Sequence, residues 1–405
     1  MTKNQTPFKI ALIGAGPASL TLANILQRNA VLFSIFESSS QIRTAGGSLD
    51  LHPESGQLAL KEAGLWTEFT KYTRPESDVL KLLNVDTGEI YWDGNAGDGP
   101  RDSHKEQDPY AGHPEIDRQA LVSILFQGLK QGTVTFNKKA INIVPTPDST
   151  NKYDVHFADG TIDSAFDLVI GGDGAWSKVR NLLSATKPHY SGISAIETWC
   201  NNVQANAWLL NFIGAGSCFG FGEGRTVQAQ RQGDGRLMTY ACLRCPEDHI
   251  QTCGIDWEDK DAARKQWMNR YFSDISPELR RVVMECRDSL VARALYELPV
   301  GFRWEAREGV TLVGDAAHVM TPFAGVGVNV AMMDSLVLAG EIVRAWRGEK
   351  GLGEAVRAYE EEMFPRAERF ARKTMKGKVG HFSKDGARNM AEMLTAPYDE
   401  GKLSD

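Results

Sequence analysis

The chain has 405 residues, 42% of them apolar and 24% charged, with a formal net charge of −7. Such a balance suits a globular protein with more than one core, and it excludes several classes. No basic block marks a nucleic-acid partner, six cysteines in so long a chain are not a disulfide framework, and no uncharged apolar run reaches the roughly eighteen residues of a membrane span. The polar start, Met1 to Pro7, lacks the apolar core of a secretory signal, so the expected setting is reducing and cytoplasmic.

Ile10-Ala11-Leu12-Ile13 reads as a short, fully buried parallel strand. It stops at Gly14-Ala15-Gly16-Pro17-Ala18-Ser19, a helical apolar pattern follows through Leu22, Ala23, Ile25 and Leu26, and a second apolar run, Val31 to Phe36, ends on Glu37. Strand, glycine turn, helix, strand and acid is the order of a dinucleotide-binding unit. Gly14 permits the tight turn. Gly16 lacks a Cβ, so a pyrophosphate can approach the backbone where Pro17 and Ala18 open the helix, and free N–H groups there favour an anion. Glu37 can accept hydrogen bonds from ribose hydroxyls. Ser19 stands where a third glycine would let helix and strand pack closely; serine is small enough to substitute.

Further along, Ala45-Gly46-Gly47-Ser48-Leu49-Asp50-Leu51-His52 is either backbone running beside a ligand or a flexible turn. Ser55 to Leu65 reads as a helix closed by Gly64, and Val79 to Trp92 as a hairpin turned at Asp86-Thr87-Gly88. Asn95 to His113 is a surface loop, after which Glu115-Ile116-Asp117-Arg118 opens a helix that Asp117 can cap. Thr133 to Ile143 and Tyr153 to Ile162 are strands, and Asp167 to Ile170 is a buried one running into Gly171 to Arg180. From Tyr190 to Leu243 the alternation is that of a mostly antiparallel sheet, and Asp256 to Arg287 is helical. Val310 to Val313 returns as a buried strand before Gly314-Asp315-Ala316-Ala317-His318. Glu354 to Lys378 forms a charged helix, its run Glu360 to Arg372 a solvated face. A sheet begun near residue 10 is thus completed near residue 313, with a second domain inserted.

Three features are set aside. Cys242-x-x-Cys245 has no second pair to complete a zinc site, and alternation makes Cys242 a strand residue. Gly214-Ala215-Gly216 has Phe219 at the third-glycine position, and His318 reads as a hydrogen-bonded residue at a helix start. No metal site is expected.

Gly14 to Glu37, Asp173-Gly174 with Ser177-Lys178-Val179-Arg180, and Gly314-Asp315-Ala316-Ala317-His318 followed by Pro322 and Gly325-Val326-Gly327-Val328-Asn329 together resemble the class A flavoprotein monooxygenases, the group containing aromatic hydroxylases. Gly46 to His52, Glu115 to Arg118 and Pro322-Phe323-Ala324-Gly325 further resemble the tetracycline-inactivating members. The resemblance implies an α/β fold: a Rossmann-like FAD-binding domain split in sequence (1–75, 106–185, 299–350), an inserted, mostly antiparallel β-sheet substrate domain (76–105, 186–298) and a C-terminal helical segment (351–405). It implies non-covalent FAD, NAD(P)H as a transient reductant with NADPH favoured, O2, a small aromatic or polycyclic substrate with tetracycline-like compounds among the candidates, and a monomer.

Arg118 is the candidate cation for the pyrophosphate, and Asp315 the acceptor for the ribityl chain. The helix opened by Pro322 to Asn329, with Gly325, Gly327 and Val328, would point its N–H groups at the pyrimidine edge of the flavin. Asp50 and Gly46-Gly47 would line the other side, so that Asp50, Pro322 and Gly325 are flavin-proximal while no side chain is assigned the chemistry itself. Asp173 and Arg180 are expected to bridge the domains. The inserted segment is expected to lay one sheet face over the flavin, lined by Trp199, Trp208, Phe212, Phe219, Phe221 and Met238, with Glu197 and Phe323 as further substrate contacts. Glu197, Ser217 and Met238 stand where the tetracycline enzymes carry amide, arginine and histidine side chains, so slow or no action on tetracyclines is expected. The rival readings are a flavin oxidase or reductase on the same scaffold and a non-catalytic flavin-binding protein.

Overall fold

A computed structural model describes residues 8–97, 108 and 110–395; the expected polar start and most of the expected loop over 95–113 lie outside them. Two compact units emerge. The first joins the described residues up to Thr73 with Ile116–Ser191 and Tyr296–Met375; the second joins those between Arg74 and Glu115 with Gly192–Leu295 and those from Lys376 on.

The first unit is built on a five-stranded parallel sheet. Ile10–Ile13 is central, between Phe33–Phe36 and Leu168–Gly171; Val310–Leu312 flanks the latter and Val134–Thr135 the former. All four central residues are buried, as a strand covered on both faces requires. The helices Pro17–Arg28 and Gly327–Trp346 pack on this sheet, and Ser335 Oγ on the second donates to Ala18 O on the first at 2.8 Å. The strand expected over 133–143 breaks in two. Val134–Thr135 joins the parallel sheet, whereas Ala140–Pro145 pairs with Tyr153–Phe157 and that with Ile162–Phe166 as a separate antiparallel sheet.

Two expectations in this unit are corrected. Glu115–Asp117 is a strand paired with Ser48–Asp50, and the helix begins only at Arg118, with no side-chain cap from Asp117. The charge run on Leu352–His381 is not uniformly solvated. Glu360 is buried and accepts Trp304 Nε1 at 3.0 Å and Thr311 Oγ1 at 2.8 Å, while Arg366 turns inward to Asp334. Buried charges need such partners. The same helix is shared between the units at Met375/Lys376, so the segment expected to stand apart from residue 351 is divided.

The second unit is a seven-stranded sheet in the order Ser289–Glu297, His189–Cys200, Leu237–Arg244, Arg225–Arg231, Ser217–Gly222, Leu80–Asn84, Ile90–Asp93. The expected hairpin ends in Leu80–Asn84 and Ile90–Asp93, and the sheet holds one parallel pair, Ser217–Gly222 with Leu80–Asn84. Strand alternation sends Ile196, Cys218, Val227, Ala229 and Ala241 to one face, where the helices Ala207–Ile213, Lys260–Tyr271 and Pro277–Glu285 cover them. Trp208 and Phe212, expected on the sheet, sit instead on the helix Ala207–Ile213, stacked 5.2 Å apart against this core. Their spacing of four residues brings them together on one helical face.

Candidate active site

The glycine turn is shaped as its sequence demands. Gly14 adopts φ +94°, and a Cβ there would lie 2.6 Å from Gly172 O; Gly16, by contrast, has only Gly172 O at 4.0 Å, leaving its outer side open. The helix Pro17–Arg28 starts without a side-chain cap, so its first-turn N–H groups are available to an anion. Ser19 fits because the missing glycine reappears across the contact: a Cβ on Gly172 would lie 2.1 Å from Ser19 Oγ. Glu37 is buried at the tip of the second strand. Its carboxylate accepts Ser39 N at 2.8 Å and Ser38 Oγ at 3.1 Å on one oxygen and Ala15 N at 2.9 Å on the other, holding the turn while the second oxygen keeps a further lone pair. Burial alone would raise its pKa; the Ser39 and Ala15 N–H groups outweigh that and lower it.

Asp173 accepts Ser177 Oγ at 2.5 Å and Lys178 N at 2.6 Å, and burial holds its pKa above the ordinary value. Arg180 donates to Ala175 O at 2.6 Å and Ala316 O at 2.9 Å. All these bonds lie within the first unit. Asp173 thus shapes the loop after Leu168–Gly171, and Arg180 fastens that loop to the turn after Val310–Leu312.

That turn is the centre of the site. Gly314 takes φ +60°, and a Cβ there would meet Ala18 at 3.2 Å and Ala331 at 3.3 Å, so the two long helices close on it. Asp315 follows, exposed, at the start of the short helix Asp315–His318. Behind it lies a network that the sequence did not announce. Fully buried Asp334 accepts Gly314 N at 3.1 Å and His318 Nε2 at 2.5 Å on one oxygen, and Arg366 Nη2 at 3.1 Å on the other. Burial alone would depress the His318 pKa, but the Asp334 charge and hydrogen bond prevail and raise it.

Pro322 and Gly325 form the next turn, with Gly325 N donating to Pro322 O at 3.0 Å and φ +67° at Gly325; Phe323 is buried inside it. The 20-residue helix Gly327–Trp346 then begins, again without a side-chain cap, and nothing lies within 4 Å of a Cβ placed on Gly327. Val328 is buried at this start. Asn329 clamps Ser48–Asp50 to the helix, its amide donating to Asp50 O at 2.8 Å and its oxygen accepting His52 N at 2.9 Å. The Asp50 carboxylate pairs with His52 Nε2 at 2.9 Å and comes within 3.6 Å of a Cβ built on Gly325. The Arg118 side chain runs over Gly46, where a Cβ would lie 2.6 Å from its Cδ, and Arg118 N donates to Gly47 O at 3.3 Å. Among the described residues its guanidinium has no hydrogen-bond or ion-pair partner, which suits a cation kept for a phosphate. Two uncapped helix starts, open glycines between them and an unpaired arginine fit a dinucleotide such as FAD.

In the second unit, the sheet face opposite those three helices carries polar rows, and the helix Gly386–Thr395 packs over its far end at Phe219 and Phe221. Glu197, Tyr240, Gln228 and Phe219 pair across four strands, and Trp199, Met238, Gln230 and Ser217 form the row beside them. Glu197 is 5% exposed. It accepts Trp199 Nε1 at 2.9 Å, Tyr240 OH at 3.0 Å and Arg293 Nε at 2.8 Å. Burial and the Glu197 charge both push the Tyr240 pKa up. Phe221 is fully buried under the ring of His381, 3.9 Å away, which makes it core.

A family model described as the FAD binding domain matches residues 8–374. The chain belongs to that family. Monooxygenase asqM of Emericella nidulans is 31% identical over 390 residues, covering 84% of this chain and 85% of the relative. Among solved structures, Klebsiella pneumoniae HpxO complexed with FAD and uric acid shares 21% identity at a TM-score of 0.75, covering 96% of this chain and 92% of that one. Tetracycline destructase Tet(51) shares 19% at 0.69, covering 96% and 95%. These two structures share the fold. The protein is an FAD-dependent monooxygenase.

In this monooxygenase, Gly14, Gly16, Pro17, Ala18, Glu37, Gly47, Asp50, Arg118, Asp173, Asp315, Pro322, Phe323, Gly325, Gly327, Val328 and Asn329 all lie in the first unit; Glu197, Phe212, Phe219, Phe221 and Met238 lie in the second. Sequence reasoning missed Asp334, whose position seven residues into an apolar helix was the available signal. It also missed Tyr240, Gln228 and Arg293. Tyr240 was within reach, since alternation from Met238 puts it on the same face.

Proposed function

We propose that the monooxygenase uses NAD(P)H, NADPH by its resemblance, and O2 to hydroxylate a small planar aromatic or polycyclic compound, with FAD held non-covalently. FAD held there would supply the redox chemistry of the reaction, in which two electrons from NAD(P)H would let one atom of O2 enter the substrate and the other leave as water. The chain's own part is placement and electrostatics. The start of Gly327–Trp346 offers N–H groups and the positive end of a helix dipole to negative charge developing on the cofactor, and Asp315, Glu37 and Arg118 anchor the rest.

The observation that carries the reading is the pair of uncapped helix starts closing on Gly314, together with an Arg118 guanidinium unpaired among the described residues and laid over Gly46. For the substrate, the support is the mixed aromatic and polar sheet face of Trp199, Met238, Tyr240 and Gln228, suited to a flat ring with a few polar anchors. Tetracyclines suit it poorly. Glu197 is an acceptor whose oxygens are already engaged, and Met238 and Ser217 offer little to a polyoxygenated ligand, whose unpaired polar groups would each cost about 1–3 kcal/mol. A screen of phenolic and polycyclic compounds for NADPH consumption, with mass spectrometry of the products, tests this. Products heavier by one oxygen are expected. NADPH consumption with unoxygenated products would support the oxidase reading instead, and efficient tetracycline turnover would overturn the distinct-substrate reading.

A further inference from the structure

We propose that Glu197 is a positioning residue that presents Arg293 as a two-pronged receptor for a carboxylate, so that the aromatic substrate of the proposed reaction carries one. The inference rests on the monooxygenase reading for the word substrate, but the receptor itself stands on geometry within the second unit. Glu197 sits in the polar row of the sheet face, 5% exposed, a costly place for a charge unless its lone pairs are filled. They are filled from three directions. Trp199 Nε1 donates to one oxygen at 2.9 Å, and Tyr240 OH at 3.0 Å and Arg293 Nε at 2.8 Å donate to the other. So engaged, Glu197 is neither a free base nor a free acceptor for a ligand.

What it does is hold a guanidinium by one corner. Arg293 belongs to the edge strand Ser289–Glu297, its side chain is 45% exposed, and its only bond among the described residues runs through Nε. The Nη1 and Nη2 groups are left unpartnered. Those two parallel N–H donors form the edge of the fork that matches a carboxylate bidentately, a match a lysine ammonium cannot reproduce. Trp199 and Tyr240 fill the other lone pairs of Glu197 with neutral hydrogen bonds, so the ion pair takes up only the Nε corner of Arg293 and leaves its outer N–H groups to a second acceptor. The adjoining row supplies a ring-sized apolar neighbour in Trp199, itself backed by the Arg236 guanidinium 4.7 Å from its ring centroid.

The test titrates the FAD-loaded enzyme with salicylate and with salicylamide, which keeps the ring and hydroxyl and lacks the charge, following tryptophan fluorescence. Salicylate should bind at least tenfold more tightly than salicylamide. Arg293→Met should abolish that preference without weakening salicylamide, Arg293→Lys should restore part of it, and Glu197→Gln should reduce it. Equal affinities for the two probes, no binding of either, or an Arg293→Met loss shared equally by both would overturn the proposal. Because binding is read without turnover, Arg293-dependent salicylate binding in the absence of any NADPH-dependent oxygenation would leave the receptor standing and remove the hydroxylase reading.

Discussion

Replacing Asp334 by asparagine should destabilise the first unit more than any other single polar change in it. The carboxylate is 0% exposed and takes donors from Gly314 N, His318 Nε2 and Arg366 Nη2. An amide keeps the shape but turns one acceptor into a donor facing either His318 or Arg366, and it strands the Arg366 charge. Removing one partner of a buried pair costs about 3–5 kcal/mol. Arg366 keeps its bond to Glu362 at 2.9 Å, which places the expected loss near the lower end, about 3 kcal/mol or two decades in the unfolding constant. The pH dependence has a definite sign. His318 has a raised folded pKa, so the stability it gains from Asp334 is fully present below its unfolded value of about 6.5 and is lost as pH rises through the folded one. Urea unfolding of the FAD-free protein at several pH values should therefore show a gap between wild type and Asp334→Asn that narrows on going alkaline. A loss under about 1 kcal/mol, or a gap that widens with pH, would refute the assignment of Asp334 as the charged anchor of the Gly314 turn.

Glu37→Ala should cost about 1–3 kcal/mol by orphaning the buried Ala15 N–H, and should weaken FAD binding in a fluorescence titration; Glu37 has a lowered pKa, so its contribution is present above about pH 4.3 and fades as pH falls through the folded value. Arg118→Ala should reduce FAD affinity more at low than at high salt, because the lost interaction is partly a screened charge, and an unchanged affinity at both would make this arginine a surface residue. Glu360→Gln should be tolerated or mildly stabilising at pH 8, since burial raises the Glu360 pKa and Gln Oε1 can still accept from Trp304 and Thr311; the thermal-shift advantage should shrink as pH falls and the native carboxyl is protonated.

The dinucleotide cradle was legible from the chain alone because its determinants are local. A backbone at φ +94° accepts glycine at Gly14, a helix start without a cap follows Gly16, and an acid ends the next strand, all within thirty residues. The same holds for the split sheet, whose buried runs at residues 10, 168 and 310 are short stretches of apolar residues, broken only by Thr311 in the last, whatever lies between them. Long-range pairing decided the rest. Glu360 and Arg366 carry the helical spacing of a solvated face, and only Trp304, Thr311 and Asp334, brought from elsewhere in the chain, turn them inward. Glu115–Asp117 became a strand because Ser48–Asp50 lay beside it, overriding a plausible cap. Trp208 and Phe212 joined a helical core rather than a sheet face because seven residues carry too little periodicity to declare a helix in advance. Charge and hydrophobicity along a sequence limit which residues can be buried; which of them meet is set by the chain segments that close around them.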